Sequence, residues 1–420
     1  MLLYELKWEE KETKVLKNPL RLFNLSTFLQ TQILMLPVLL LFYQENGLTA
    51  GDYFLFQGIF SITALLFEIP AGYLGDIFPR RNMLVFSFSM FLLRLILWSF
   101  LVAGVPVFKS NAYWIILAGE ILYSISKASY AGVADGYIYD YLKSQNKTNR
   151  MLQKYGKMNF CMSVGTAIAS FLGPIFYEKY GFATLIAMEI IFNVSAIGLL
   201  FFLPKVASAR KRIKGLRAKY IELFTISKNA IKNQHIKYYM FYSGMLAGTT
   251  MVFVWSFQPL MKTAGIPVVL FGVIYAINHG CRALAGILLP KTIGFMSLKT
   301  LGKVTFTLFV ISFLSCAAVV RFQSPVLGFV LLTFICIVIG FQWSFTMANI
   351  SRLHTYIGSE ERSTVSSVNN MISRSIAGIL LILFKFLLDD ISLQNSFFVY
   401  LSIFLISLYP LSKILKSKET

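Results

Sequence analysis

The sequence predicts an all-α membrane protein with 12 transmembrane helices, arranged as two six-helix, pseudo-symmetric halves. Three observations carry that prediction. Of 420 residues, 56% are hydrophobic and only 14% charged; a soluble domain could not cover so much apolar surface, whereas a bilayer accepts it. Apolar runs of about 20 residues recur along the chain, each long enough at 1.5 Å per residue to cross a hydrocarbon core of roughly 30 Å. Lys and Arg fall in alternate loops, 30 on one side of the membrane against four on the other.

Residues 1–22 mix Glu and Lys ahead of any apolar run, the reverse of a cleaved signal peptide, and predict a cytoplasmic N-terminal segment. The first half, residues 23–203, contains apolar runs at 23–43, 54–75, 83–103, 113–134, 158–177 and 181–203. Residues 204–238 read as a basic cytoplasmic linker with ten Lys or Arg, including Arg210, Lys211, Arg212 and Lys214. The second half, residues 239–412, carries runs at 239–260, 268–289, 304–320, 326–350, 369–388 and 396–412, and residues 413–420 form a cytoplasmic tail. The net charge of +20 would suit nucleic acid in a soluble protein; here the basic residues hold both termini in the cytoplasm, and no nucleic-acid partner is expected. Cys161, Cys281, Cys316 and Cys336 each stand alone in an apolar stretch and suggest neither metal nor redox chemistry.

Between the second and third runs the chain reads EIPAGYLGDIFPRRNML, a hairpin of membrane helices with a charged turn of about seven residues. This stretch resembles the G-x-L-a-D-x-x-G-R-R loop of the major facilitator superfamily, with Gly72, Leu74, Gly75, Asp76, Arg80 and Arg81 in register and Glu68 and Pro70 matching an E-I-P-x-G variant. Ile77 replaces a usual basic residue, and Pro79 replaces Gly. The resemblance implies the superfamily fold, its pseudo-twofold axis along the membrane normal, and a gating role for Gly72, Asp76, Arg80, Arg81 and Glu68. Read from the residues alone, Arg80 and Arg81 also serve as a plain topology signal. Asp140, after Ala134, Asp135 and Gly136, resembles a G-x-x-x-A-x-x-x-D pattern of bacterial exporters and joins the gating set. The second half keeps a worn copy of the elbow in Gly286, Pro290, Lys291, Lys299 and Lys303, without the acidic residue.

The fourth run is the most polar. Glu120, Ser124, Lys127 and Asp135 recur at helical spacing, and charged groups within a bilayer turn toward a cavity or a partner. The superfamily's R-x-x-Q-G signature here aligns with Glu120, Tyr123 and Ser124, so a carboxylate stands where the arginine is usual. Glu120 is therefore either a proton carrier or the static partner of Arg94. Asp135 and Glu189 are the further proton-coupling candidates. Lys127, Arg94, Arg282, Tyr123 and Arg374 are the substrate candidates: either their charges are all paired within the bundle, or some remain free for an anionic substrate. Lys385 lies near the outer end, where its stem reaches the interface. Gly165, Ala169, Gly173 and Pro174 resemble a partial antiporter motif, which favours export.

No phosphate-binding G-x-x-x-x-G-K, no H-E-x-x-H and no G-x-S-x-G occurs, and the three histidines, His235, His279 and His354, are scattered. The expectation is a transporter and not an enzyme, without cofactor or metal, driven by an ion gradient. It would work by alternating access as a monomer, with a small molecule, protons and membrane lipids as partners. Proton-coupled efflux is favoured over uptake of an organic anion or sugar, and over a receptor or scaffold of the same fold. A Lys-, Asn- and Ile-rich composition hints at a bacterial source, and the expected location is a bacterial inner membrane.

Overall fold

The computed structural model describes residues 19–206, 221, 225, 234–293, 298–353 and 362–414. The N-terminal segment through residue 18, the linker cluster Arg210 to Lys214, His354 and the tail from 415 fall outside the described residues, as do the side chains of His235, Gly286, Pro290, Lys291 and Lys299. The described elements are helical throughout. They are α1 (Pro19–Gln30), α2 (Leu39–Glu45), α3 (Ala50–Ile77), α4 (Arg80–Val102), α5 (Pro106–Ser110), α6 (Ala112–Ser144) and α7 (Met151–Phe201), followed by α8 (Gln234–Thr263), α9 (Val269–Ile293), α10 (Leu298–Phe322), α11 (Pro325–Leu353), α12 (Arg362–Asp390) and α13 (Leu393–Ile414). The expected apolar runs from residue 54 onward fall on these helices apart from a residue or two at some ends, and the first run, 23–43, is interrupted. Among the described residues seven are long and apolar enough to cross a membrane by length and hydropathy. The polar α6 and the interrupted first run do not reach that mark.

That interruption departs from the expectation of one helix over 23–43. The chain leaves α1 at Gln30 and resumes in a 3-10 turn, Leu36–Val38, that leads into α2. Pro37 explains the break: it has no N–H to donate, and its ring collides with the carbonyl four residues earlier. Thr31 and Gln32 help by turning their side chains back on the helix, Thr31 Oγ1 donating to the carbonyls of Thr27 and Phe28 and Gln32 Nε2 to that of Phe28. The runs 158–177 and 181–203 are the two arms of α7, which meet at Gly181 in a left-handed conformation (φ 73°) that other residues seldom adopt. The charged elbow is also tighter than expected. Asp76 and Ile77 complete the last turn of α3 and Arg80 begins α4, so only Phe78 and Pro79 lie between the helices.

Helices α1–α7 pack into one bundle, dominated by α4 on α6, α1 on α7 and α3 on α6, and α8–α13 into another, dominated by α9 on α11 and α8 on α12. The bundles join mainly along α3 with α12 and α7 with α9. Both seams are tightest near one end, hereafter the plugged end. A Cβ on Gly58 would lie 2.6 Å from the Ile382 side chain and 3.0 Å from the Gly378 carbonyl, and one on Gly272 would lie 2.4 Å from the Ser170 carbonyl. The opposite end holds Asp76 and Arg80 and is called the elbow end.

Gly165 and Gly173 of α7 face the broken span. A Cβ at Gly173 would stand 2.0 Å from the Leu34 carbonyl oxygen, and one at Gly165 would stand 2.5 Å from Thr31 Oγ1. Gly173→Ala should therefore destabilise the protein by about 1–3 kcal/mol, the cost of overpacking. Gly156→Ala, in open space on the same helix, should be neutral or mildly stabilising. Denaturant unfolding in detergent checks both; equal stability of the two variants would contradict the packing.

Candidate functional site

The site begins where the first span loses its helical ladder. Buried backbone groups need partners, and here two side chains from different bundles supply them. Glu189 on α7 accepts the Met35 N–H at 2.8 Å. Gln258 on α8 accepts the Leu40 N–H at 2.7 Å, donates one N–H to the Leu36 carbonyl at 2.9 Å, and shares the other between the hydroxyls of Tyr53 and Tyr275, each 3.1 Å away. Gln258, Tyr43, Tyr53 and Tyr275 are all buried and form an amide-and-phenol plug between the bundles. Nearer the plugged end, Lys262 donates to Gln44 at 2.6 Å, and Lys385 bridges Asp52 (3.3 Å) and Asp389 (3.1 Å). Lys385 thus holds two carboxylates, one on each bundle. Asp52 is also the third residue of α3 and accepts the N–H of the N-cap residue Thr49 at 2.9 Å, while Thr49 Oγ1 accepts the Asp52 N–H at 3.1 Å, a reciprocal capping box.

On the bundle side of the plug, Tyr43 donates to Glu120 at 2.8 Å, and Glu120 pairs with Arg94 at 3.1 Å. Both charges are enclosed, Glu120 with 1% of its surface exposed and Arg94 with 3%. The Arg94 guanidinium lies 3.9 Å from the centre of the Trp98 ring and 4.5 Å from that of Tyr123, so aromatic faces cover what the carboxylate does not. The Lys127 ammonium lies 5.2 Å from the centre of the same Tyr123 ring and is half-buried. Arg282, also half-buried, lies over Trp343 at 4.6 Å. Arg374 pairs with Glu68 at 3.6 Å across the α3–α12 seam, both partly exposed.

At the elbow end Arg80 lies between two carboxylates, Asp140 at 3.1 Å and Asp76 at 3.6 Å. Gly136 makes room for it: a Cβ there would sit 2.9 Å from the guanidinium. Arg81 donates to the carbonyls of Phe201 and Leu203, covering the C-terminal end of α7. Gly72 has open space around its Cβ position. Asp135 is half-buried and makes no ion pair or hydrogen bond among the described residues. The geometry therefore brings together Asp76, Arg80 and Asp140, and separately Arg94, Glu120 and Tyr123. Gln258, Tyr43, Tyr53, Tyr275 and the Asp52–Lys385 pair were not anticipated.

The superfamily model described as Major Facilitator Superfamily matches residues 22–410. The chain belongs to this superfamily. The chain is 24% identical over 159 residues to an uncharacterized transporter of Buchnera aphidicola subsp. Schizaphis graminum, and 24% over 161 residues to another from the Acyrthosiphon pisum subspecies. The match spans 37% of the length of each of these curated relatives and 37% of this chain. In structure it is similar to the nucleoside transporter NupG (TM-score 0.77, 13% identity, covering 94% of this chain and 99% of that one). It is also similar to a POT family transporter in complex with a thioalcohol-conjugated peptide (TM-score 0.69, 14% identity, 96% and 95% covered). A bacterial homolog of the human lysosomal transporter Spinster, inward-facing and unoccupied, aligns with TM-score 0.60 and 15% identity over 89% of this chain and 81% of that one. At such identities the likeness establishes the fold. The chain is a multi-pass membrane protein of this superfamily.

Removing one member of an enclosed ion pair strands the other charge, whereas replacing both by apolar groups removes the problem. Glu120→Leu alone should cost about 3–5 kcal/mol, and Glu120→Leu with Arg94→Met should recover a large part of that. Unfolding of the two variants in detergent checks the pair; additive losses would contradict it.

Proposed function

We propose that the chain is a secondary transporter that works by alternating access, exporting a small organic molecule in exchange for protons. The observation that supports this best is the asymmetry of the seam between the bundles. The plug around Gln258, the Lys262–Gln44 contact and the Asp52–Lys385 pair all lie toward one end, while Asp76, Arg80 and Asp140 tie α3, α4 and α6 together within one bundle at the other. A rocking motion about a central site needs two ends that close in turn. The bias of Lys and Arg supports an orientation with the elbow end in the cytoplasm and the plugged end outside.

Asp135 is the favoured proton carrier. A coupling carboxyl must meet water and exist in both protonation states as the cycle turns. Glu120 is held by Arg94 and Tyr43, and Glu189 by the Met35 amide, whereas Asp135 is half-buried near the elbow end and free of such ties among the described residues. The absence of a nucleotide-binding motif in the sequence agrees with a gradient as the energy source.

The test uses the full chain in sealed vesicles loaded with a pH-sensitive dye, under an imposed proton gradient, with drugs, siderophores and metabolic anions added in turn. Compound-dependent proton movement is expected, and Asp135→Asn should abolish it while compound exchange down its own gradient persists. Compound flux without proton movement in the unmodified chain would overturn antiport. Unchanged proton movement in Asp135→Asn would overturn the assignment of the carrier.

A further inference from the structure

Two basic side chains stand apart from the rest of the charged network. Arg94 has Glu120, Arg374 has Glu68, Arg80 has Asp76 and Asp140, and Lys385 has Asp52 and Asp389. Lys127 and Arg282 make neither an ion pair nor a hydrogen bond among the described residues, and each lies beside an aromatic ring instead.

Their placement is matched between the bundles. Helices α6 and α9 both run from the plugged end toward the elbow end. Counted from Ala112 and Val269, Lys127 and Arg282 lie roughly 22 Å and 20 Å along them, so the two charges share a depth. Their helical phase agrees as well. Lys127 comes seven residues, close to two turns, after Glu120, which faces Tyr43; Arg282 comes seven after Tyr275, whose phenol meets Gln258. Each cation therefore lies on the helix face that forms the plug, about two turns further toward the elbow end. On α6 that face also turns toward the first span beyond Lys127, since Tyr130 lies 3.2 Å from Thr27. Lys127 is thus level with the unwound residues 31–35.

We propose that Lys127 and Arg282 form a two-bundle oxyanion site, and that the transported molecule carries a carboxylate or phosphate that both cations hold. This rests on the transport reading above and names its substrate class. Guanidinium presents a planar fork that matches an oxyanion in two hydrogen bonds, and ammonium adds a compact charge from the other side. Two cations without a carboxylate partner among the described residues would repel one another as the bundles close the elbow end, and an anion between them removes that repulsion. Substrate binding and closure are coupled by the same pair.

The experiment measures binding to the purified full chain in detergent by thermal shift and calorimetry. The probes are citrate, succinate, glucose 6-phosphate and uridine monophosphate, each set against glucose or uridine as neutral counterparts. The expected result is that at least one anion binds, its neutral counterpart binds at least tenfold more weakly, and Lys127→Gln and Arg282→Gln each lower anion affinity tenfold or more, with Lys127→Arg retaining most of it. The carboxylate and phosphate arms separate the two oxyanion chemistries. Failure of every anion to bind, equal binding of neutral counterparts, or unchanged affinity in both Gln variants would overturn the site; the anion-against-neutral comparison on the unmodified chain decides even where a variant does not fold. Vesicle flux separates this inference from the broader reading. Transport of a neutral compound that ignores both variants sinks the oxyanion site alone, and anion binding through both cations with no flux of any compound sinks the transport reading alone.

Discussion

A bilayer leaves no water to satisfy a backbone that stops being helical, and the first span stops being helical at residues 31–35. Each buried amide or carbonyl left without a partner would cost about 1–3 kcal/mol, so the break persists only because other side chains are committed to it. Glu189 does so from within the same bundle, placing a carboxylate against the Met35 amide where the chain re-enters helical geometry, the end of a helix that favours negative charge. Gln258 does so from the other bundle, with its carbonyl on the Leu40 amide and its amide on the Leu36 carbonyl. The second partner has a mechanical consequence. The same amide that satisfies this backbone also joins the two bundles at the plugged end.

The rest of the polar interior follows from that arrangement. Tyr43 lies on the re-formed helix α2, and its hydroxyl reaches Glu120, which in turn holds Arg94 within a cage of rings. Gly165 and Gly173 bring α7 against the broken segment, where any larger residue would strike Thr31 or the Leu34 carbonyl. These glycines are needed for close packing at the break, whatever part they take in setting transport direction. At the elbow end the charges are arranged differently. Asp76, Arg80 and Asp140 join three helices of a single bundle, and Arg81 covers the end of a fourth, so this bundle is rigid there without help from its neighbour.

Much of this was legible in the sequence for identifiable reasons. The apolar runs and the basic bias depend on composition over many residues, and local errors do not disturb them. The elbow was legible because Asp76, Arg80 and Asp140 belong to short patterns, whereas Arg94 stood only as one of two readings of Glu120, since a sequence gives the depth of a charge and not which neighbour it meets. The break in the first span left a signal, Pro37 within the run together with Thr31 and Gln32, but high mean hydropathy concealed it. Gln258 left none, since a single amide in an apolar run has no period and no local partner. The Asp52–Lys385 contact was hidden by 333 positions of chain separation, and Lys385 alone reads as a side chain reaching for the interface. Contacts between bundles depend on the whole packing, which no local window contains.

The central claim is that Gln258 holds the plugged end closed through the backbone of the broken span. The direct measurement is the distance between spin labels on Val107→Cys and Val326→Cys, exposed positions on α5 and α11 at that end, in a chain whose native Cys161, Cys281, Cys316 and Cys336 have been replaced. The account predicts a distribution centred on the short, closed distance with Gln258 present, and a new longer population in Gln258→Ala. An unchanged short distance in Gln258→Ala would contradict it.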